Sequence, residues 1–201
     1  MSHLPDQYYK PTMGLLNLPR ELRDEILSYI LIKPQNTITM LSNSYCYRSE
    51  VSASQPAVSK VSKQLRAETL PVFYNSNVFL AELSDPDDLR TAKSWLSAIG
   101  ASNVEHLRHL VLSGWTKVDH YAGGRQGWLY RYVRVVFDLR EGEIVLENDH
   151  GVESPTPTVM WHIDGLKHSF REMTEAKKGE RFTASEVEEL MEEFHDFCAS
   201  G

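Results

Sequence analysis

The chain has 201 residues, 41% hydrophobic and 24% charged, which is enough for one domain with a substantial core. With 21 basic and 28 acidic residues its net charge is −7, which argues against a general surface for nucleic acids or anionic membranes. Two cysteines, Cys46 and Cys198, form no disulfide framework and favour a reducing compartment. No apolar stretch reaches the ~20 residues of a membrane span, and the N-terminus lacks signal-peptide features. We expect a cytoplasmic or nuclear protein.

The first predicted helix, LLNLPRELRDEILSYIL (residues 15–31), follows an N-terminal arm, residues 1–12, that is expected to be flexible. Asn17 is the expected N-cap, with Pro19 in the first turn, and the helix should stop before Pro34. The residues predicted to share one apolar stripe are Leu18, Leu22, Ile26, Tyr29 and Ile30. The residues predicted to face away are Arg20, Glu21, Arg23, Asp24 and Glu25. A second apolar edge is predicted at Leu27 and Leu31.

Residues 36–51 alternate β-branched, aromatic and polar side chains around Ser42–Ser44, which predicts a β-hairpin. A second helix is predicted in PAVSKVSKQLRAETL (residues 56–70), and Pro71 should end or kink it. The residues expected to share its inner face are Val58, Val61, Leu65 and Thr69. A further helical turn and a turn at Asn75 to Asn77 should then lead into a short strand.

The third helix is predicted in DPDDLRTAKSWLSAIG (residues 85–100), with Asp85 as N-cap, Pro86 in the first position and Gly100 as terminator. Its apolar residues Leu89, Ala92, Leu96 and Ile99 repeat at helical spacing. Next, HLRHLVLSGW (residues 106–115) is predicted to be a buried strand. A hairpin follows in residues 129–148, turning at Glu141-Gly142, with its inner face formed by Val133, Val135, Phe137 and Leu139.

The C-terminal part is predicted to hold a loop at residues 151–158, a last strand in VMWHI (residues 159–163) and two helices. Asp164 should cap the first of these helices. Its predicted stripe is Leu166, Phe170, Met173 and Lys177. A capping box of Thr183 and Glu186 should open the second. The predicted apolar face of that helix is Val187, Leu190, Met191, Phe194 and Phe197, and its acidic outer face is Glu188, Glu189, Glu192, Glu193 and Asp196.

Strands bracketed by helices, without regular alternation, favour an α+β fold: N-terminal helices packed with an antiparallel sheet and C-terminal helices. We expect residues 13–201 to form a single domain, with a possible division into residues 13–82 and 83–201.

The sequence contains no motif of a catalytic or metal site. His106 and His109 lie in a predicted strand and should point to opposite faces. The glycine-rich segment AGGRQGW (residues 122–128) lacks the ending of a phosphate loop and is predicted to be the approach of a hairpin. We therefore expect no catalytic residue, no metal and no cofactor. The alternative is a small enzyme or small-molecule binder with a site near residues 120–128, where His120, Tyr121 and Arg125 lie.

Two segments resemble a group of fungal F-box-like proteins. LLNLPRELRDEILSYIL is similar to the opening of F-box domains, a Leu-Pro pair before a helix rich in Leu and Ile. VSKVSKQLRAETLPVFYNSNVF, within residues 58–80, resembles the second segment typical of the group. The resemblance implies a non-enzymatic module that binds a protein partner. In true F-boxes this partner is the Skp-type adaptor of cullin–RING ubiquitin ligases, for which the rest of the chain recruits a substrate. Carried onto this chain, the implied partner-binding residues are Leu18, Pro19, Leu22, Ile26 and Leu27, with Leu31 on the same edge.

Overall fold

The computed structural model describes residues 14–33, 37–40, 51–122, 125–147 and 157–199. The helices in these ranges are α1 (Arg20–Leu31), α2 (Lys63–Ser76), α3 (Pro86–Ile99), α4 (Ala101–Val104), α5 (Pro157–Lys177) and α6 (Ala184–Ala199). The strands are β1 (Ile38–Thr39), β2 (Val51–Ser52), β3 (Val78–Glu82), β4 (His109–Ala122), β5 (Arg125–Asp138) and β6 (Glu143–Glu147). Short 3₁₀ turns precede α1 and α2, at Leu15–Asn17 and Ala57–Lys60. The predicted α+β class is confirmed.

Among the described residues, the six strands form one mixed sheet in the order β2-β1-β3-β4-β5-β6. The first four strands of this order run parallel, while β5 pairs with β4, and β6 with β5, in antiparallel orientation. The antiparallel sheet that the sequence predicts is therefore found in β4, β5 and β6, and the prediction is wrong for β1, β2 and β3. The sheet also crosses the possible boundary at residues 82 and 83, because β3 pairs with β4 along its whole length.

Most of the helices pack on one face of this sheet. Phe79, Leu110 and Phe137 are neighbours across β3, β4 and β5, so their side chains share a face. On that face the ring of Phe79 lies 5.5 Å from Trp95 of α3, and the ring of Phe137 lies 5.1 Å from Phe170 of α5. These apolar side chains of the sheet and the helices belong to one buried core, and their burial stabilises the fold.

The helices with clear capping residues lie where the sequence predicts them. The carboxylate of Asp85 accepts hydrogen bonds from the Asp87 and Asp88 amides, and α3 ends at Gly100, whose φ is +82°. At α6 the amide of Thr183 donates to Glu186 over 2.7 Å, which forms one half of the predicted capping box. The predicted apolar faces of both helices are confirmed by burial of Ala92, Leu96, Ile99, Val187, Leu190, Met191, Phe194 and Phe197.

Helix α5 replaces the strand that the sequence predicts for residues 159–163. The helix starts at Pro157, and Asp164, the predicted N-cap, lies inside it. Val159, Ile163 and Phe170 are each no more than 1% exposed and recur at helical spacing across the predicted boundary. Burial of this stripe against the sheet outweighs the β-propensity of the segment VMWHI.

The hairpin predicted for residues 36–51 is also wrong. Residues 41–50 lie outside the described ranges, but β1 and β2 on either side of them pair in parallel, with Ile38 opposite Val51. Strands joined by a tight hairpin turn are antiparallel. The pairing is instead fixed by β3, which lies beside β1 on its other edge.

Helix α2 begins later and ends later than predicted. Its N-cap is Ser62, whose side chain accepts from the Leu65 amide, so Val61 lies outside the helix and is 72% exposed instead of facing inward. Pro71 lies inside the helix and does not end it. The turn beyond it carries Phe73 and Tyr74, which are 4% and 0% exposed, and their burial holds this last turn in place.

The β5–β6 hairpin turns at Glu141-Gly142 as predicted, and the expected inner residues of β5 and its turn are buried. Of the segment 122–128, residue 122 ends β4 and residues 125–128 begin β5, with Ala122 opposite Arg125, while residues 123 and 124 lie outside the described ranges. The predicted arm, residues 1–12, lies outside the described residues. No helix in the described ranges is both long enough and apolar enough to cross a membrane.

Candidate partner-binding face on the first helix

Helix α1 starts two residues later than the predicted cap implies. Asn17 belongs to the preceding 3₁₀ turn, and Pro19 occupies the N-cap position, where its carbonyl accepts from the Arg23 amide over 3.1 Å. A proline loses nothing here because the first amides of a helix have no intrahelical acceptor. The Leu-Pro pair therefore fixes the start of α1.

The inner face of α1 consists of Arg23, Leu27 and Leu31, which are 8%, 1% and 1% exposed. These residues are spaced by four, so they form one line along the helix. The prediction that Arg23 faces away with the other charged residues is wrong, because its side chain is buried. The predicted stripe of Leu22, Ile26 and Ile30 lies on the solvent side of the helix. The helix is apolar on two adjacent lines, and α1 packs on α2 through the line that contains the arginine.

Arg23 can lie in this interface because α2 supplies its counter-charge. Its Nε and Nη2 donate to the Glu68 carboxylate over 3.1 and 2.6 Å, and its Nη1 donates to the carbonyl of Leu18. Gln64 donates a further hydrogen bond to the same carboxylate. These hydrogen bonds, first those from Arg23, lower the pKa of Glu68 to about 2.

Asn77 connects the other ends of the two helices. Its side-chain amide donates to the carbonyls of Leu31 and Phe73, and its oxygen accepts from the Lys33 amide, each over 2.8 Å. The residue is 1% exposed. It therefore satisfies carbonyls at the C-terminal ends of both α1 and α2, where the last carbonyls of a helix lack intrahelical donors.

The apolar face of the second segment of the family resemblance packs into the domain. Leu65, Thr69, Leu70, Phe73 and Tyr74 are all buried in α2, while the side chains of Glu68 and Asn77 bind groups of α1. The segment thus positions α1 on the rest of the domain, and little of its apolar surface is left for a partner.

The α1 outer face, defined here as Leu22, Ile26, Tyr29 and Ile30, is open to solvent. These side chains are 48%, 40%, 80% and 50% exposed. Leu22, Ile26 and Ile30 are spaced by four and lie roughly 100° around the helix from the inner line. Arg20, Glu21, Asp24 and Glu25, which are also exposed, surround the helix on its remaining side. Such an apolar patch beside charged residues is typical of an interaction site.

The six residues predicted to bind a partner divide between the two faces. Leu22 and Ile26 belong to the α1 outer face, Pro19 is exposed and Leu18 is half-buried. Leu27 and Leu31 are core residues, so the prediction that they form an exposed edge is wrong. Tyr29 and Ile30, which the sequence places on one stripe with Leu22 and Ile26, are surface residues together with them. The spacing of apolar residues alone did not show which of the two adjacent lines of α1 packs on the domain, that of Leu22, Ile26 and Ile30 or that of Leu27 and Leu31.

The remaining candidates give no site in the part of the chain that is described. No group of three potential metal ligands occurs there. Burial raises the pKa of the Cys198 thiol to about 12, so its thiolate is scarce at neutral pH. The side chains of His120, Tyr121 and Arg125, where the alternative enzyme site is predicted, lie outside the description. On the acidic face of α6, Lys93 of α3 pairs with Glu192, and Ser169 donates to Glu193.

Comparison of the chain with models of protein families, with curated proteins and with solved structures found no match.

Proposed function

We propose that this protein is a non-enzymatic interaction module that presents the α1 outer face to a protein partner. The observation that supports the proposal is the line of Leu22, Ile26 and Ile30 on a helix that is already anchored through its other apolar line. The fold does not need these side chains for its core, and exposing them costs free energy unless a partner covers them.

A helix held in this way suits a partner with an apolar groove. Residues at i, i+4 and i+8 enter such a groove together, and Tyr29 adds an aromatic side chain of the kind that contributes strongly to interfaces. Arg23, Glu68 and Asn77 fix the helix beforehand, so little conformational entropy is lost when a partner binds.

The resemblance to F-box-like proteins suggests the Skp-type adaptor of cullin–RING ubiquitin ligases as the partner. Of the positions implied by the resemblance, Leu22 and Ile26 are available on the α1 outer face. The rest of the domain would then recruit a substrate. A ligase subunit of this kind would act in the cytoplasm or the nucleus.

Co-expression with a Skp-type adaptor, followed by size-exclusion chromatography, tests this proposal. The variant is Ile26→Asp, which places a charge in the middle of the α1 outer face. The matched control is Val145→Asp, because Val145 is also apolar and 56% exposed but lies on β6, at the far edge of the sheet.

The proposal expects a complex that co-elutes for the wild type and the control and is lost in Ile26→Asp. Failure of the folded wild type to co-elute would rule out the adaptor. A complex that survives Ile26→Asp would show that the α1 outer face is not the binding surface.

A further inference from the structure

A cleft of about 450 Å³ lies where four segments of the described chain meet: the end of α2, the residues before β4, the β5–β6 turn and the α5–α6 turn. None of the residues that line it belongs to α1. Its walls include Leu107, Leu139 and Phe182, which are 6%, 5% and 3% exposed and offer a small apolar surface. A volume of this size fits a small ligand or one side chain of a larger one.

One wall of the cleft holds an arginine that is oriented without being neutralised. Nη1 of Arg181 lies 2.7 Å from Nδ1 of His106. A guanidinium nitrogen can only donate, so the imidazole accepts and is neutral in this arrangement. Burial and then the charge of Arg181 lower the pKa of His106, which favours the same neutral form. The histidine thus holds Arg181 in place and leaves its positive charge uncompensated.

Several arginines of the described chain bind a carboxylate: Arg23 binds that of Glu68 and Arg108 binds that of Asp138. Arg66 instead donates to the carbonyl of Ser59. Arg181 is exposed and has no carboxylate partner within the described residues, so its positive charge is available to a ligand.

A second arginine, Arg140, lines the same cleft from the β5–β6 turn. Its backbone amide donates to Asp138, but its guanidinium has no hydrogen bond or ion pair within the described residues. Asn75 and Ser76 at the end of α2 add a side-chain amide and a hydroxyl to the lining. The cleft therefore contains two cationic groups whose donors are available to a ligand.

The cleft is not uniformly basic. Glu105 and Glu180 also line it, and both are exposed. Arg108 also lines the cleft but is already paired with Asp138 and Glu141, so the two remaining arginines are matched in number by the two glutamates. This balance disfavours a polyanion such as nucleic acid, and a small anion would have to be recognised by direct contact with the two guanidinium groups.

We infer that this cleft binds a small oxyanion group, phosphate or carboxylate, joined to a compact apolar body. The oxyanion accepts hydrogen bonds from Arg140 and Arg181, since a planar guanidinium matches both head groups in a two-point contact. The apolar body covers Leu107 and Phe182. This site goes beyond the proposed partner-binding face and is separate from it, so either can fail without the other.

Titration of the ¹⁵N-labelled protein with phenyl phosphate, followed by NMR, tests the inference. Three comparison ligands are used. Benzoate carries the other head group, inorganic phosphate lacks the apolar body, and benzyl alcohol lacks the charge. The variants are Arg140→Gln and Arg181→Gln. The control is Arg90→Gln, an arginine on α3 that is exposed and paired with Asp87 outside the cleft.

We expect saturable binding of phenyl phosphate or benzoate, with the tighter of the two identifying the head group. Each cleft variant should weaken it about tenfold, as expected for loss of a charge-assisted hydrogen bond, while Arg90→Gln binds like the wild type. Arg140→Gln removes no intramolecular contact and should fold normally, which keeps the test valid if Arg181→Gln unfolds.

Three results would overturn the inference. The first is no saturable shift with either aromatic anion, and the second is equal weakening by the control variant. The third is equal affinity for inorganic phosphate or benzyl alcohol, which would remove the need for the apolar body or for the charge.

Discussion

The guanidinium of Arg23 on α1 and the carboxylate of Glu68 on α2 form a two-point ion pair, with N–O distances of 3.1 and 2.6 Å. The two side chains are only 9% and 13% exposed, and they lie 45 residues apart in the chain. This pair determines which side of α1 faces the domain. By turning Arg23 inward it leaves Leu22, Ile26 and Ile30 outside.

The ion pair predicts a specific dependence of stability on pH. The pKa of Glu68 is about 2 in the fold against 4.5 for the free side chain. A lowered carboxyl pKa stabilises the fold fully above the unfolded value, and this contribution is lost as the pH falls from about 4.5 towards about 2. Glu68→Gln should therefore be less stable than the wild type at neutral pH, with the difference shrinking across that window. Urea unfolding at several pH values measures it, and a difference independent of pH would contradict the ion pair.

Asn77→Ala should destabilise the protein by about 2–4 kcal/mol, because three buried backbone groups lose their partner at once. The groups are the carbonyls of Leu31 and Phe73 and the amide of Lys33. The control is Asn103→Ala, since the side-chain amide of Asn103 donates one hydrogen bond within the described residues, to the Ile99 carbonyl at a half-exposed helix end. It should cost about 1 kcal/mol. Equal losses in urea unfolding would show that Asn77 does not connect α1 with α2.

Two glycines should respond in opposite directions when replaced by alanine. Gly142 has a φ of +71°, and a Cβ there would lie 2.6 Å from Cγ2 of Thr174, so Gly142→Ala should cost about 1–2 kcal/mol. Gly165 lies in α5 with open space around it. Gly165→Ala should stabilise the protein by about 0.5–1 kcal/mol, because alanine favours the helix. Thermal unfolding of both variants checks the pair, and destabilisation by Gly165→Ala would contradict the placement of residues 159–165 in a helix.

How much of this fold the sequence predicts depends on how local the determining contacts are. Helices α3 and α6 follow from Asp85, Gly100 and the Thr183–Glu186 capping box, which act within one helical turn. The β5–β6 hairpin likewise follows from its alternation and its Glu141-Gly142 turn. Periodicity from Val159 through Ile163 to Phe170 also indicates α5, but the aromatic and β-branched residues of VMWHI outweighed it in the sequence interpretation.

Unlike the error in α5, those in the sheet and in α1 concern contacts between distant segments. The parallel pairing of β1 and β2 depends on β3, which follows more than 25 residues after β2. The inner face of α1 depends on Glu68 and Asn77 of a later helix and its end. For the same reason the cleft at Arg140 and Arg181 has no signal in the sequence, since its walls come from four separate segments.

Cys198 should be inert in the folded protein. Its side chain is 6% exposed, burial raises its pKa to about 12, and its Sγ lies against Gly114. In a Cys46→Ser variant, which leaves Cys198 as the single thiol, alkylation by iodoacetamide at neutral pH should be far slower than for a free thiol and should reach the normal rate in urea. Rapid labelling without denaturant would contradict its place in the core.

The central claim is that α1 uses one apolar line for the core and leaves the adjacent line for a partner. Urea unfolding of Leu27→Ala and Ile26→Ala tests this claim most directly, since alanine keeps the helix and the two residues are neighbours. We expect Leu27→Ala, which removes a side chain that is 1% exposed, to lower the free energy of unfolding by about 3 kcal/mol. Ile26→Ala, at a residue that is 40% exposed, should change it by less than about 1 kcal/mol. Equal losses, or a larger loss for Ile26→Ala, would contradict the account and place the proposed partner-binding line in the core.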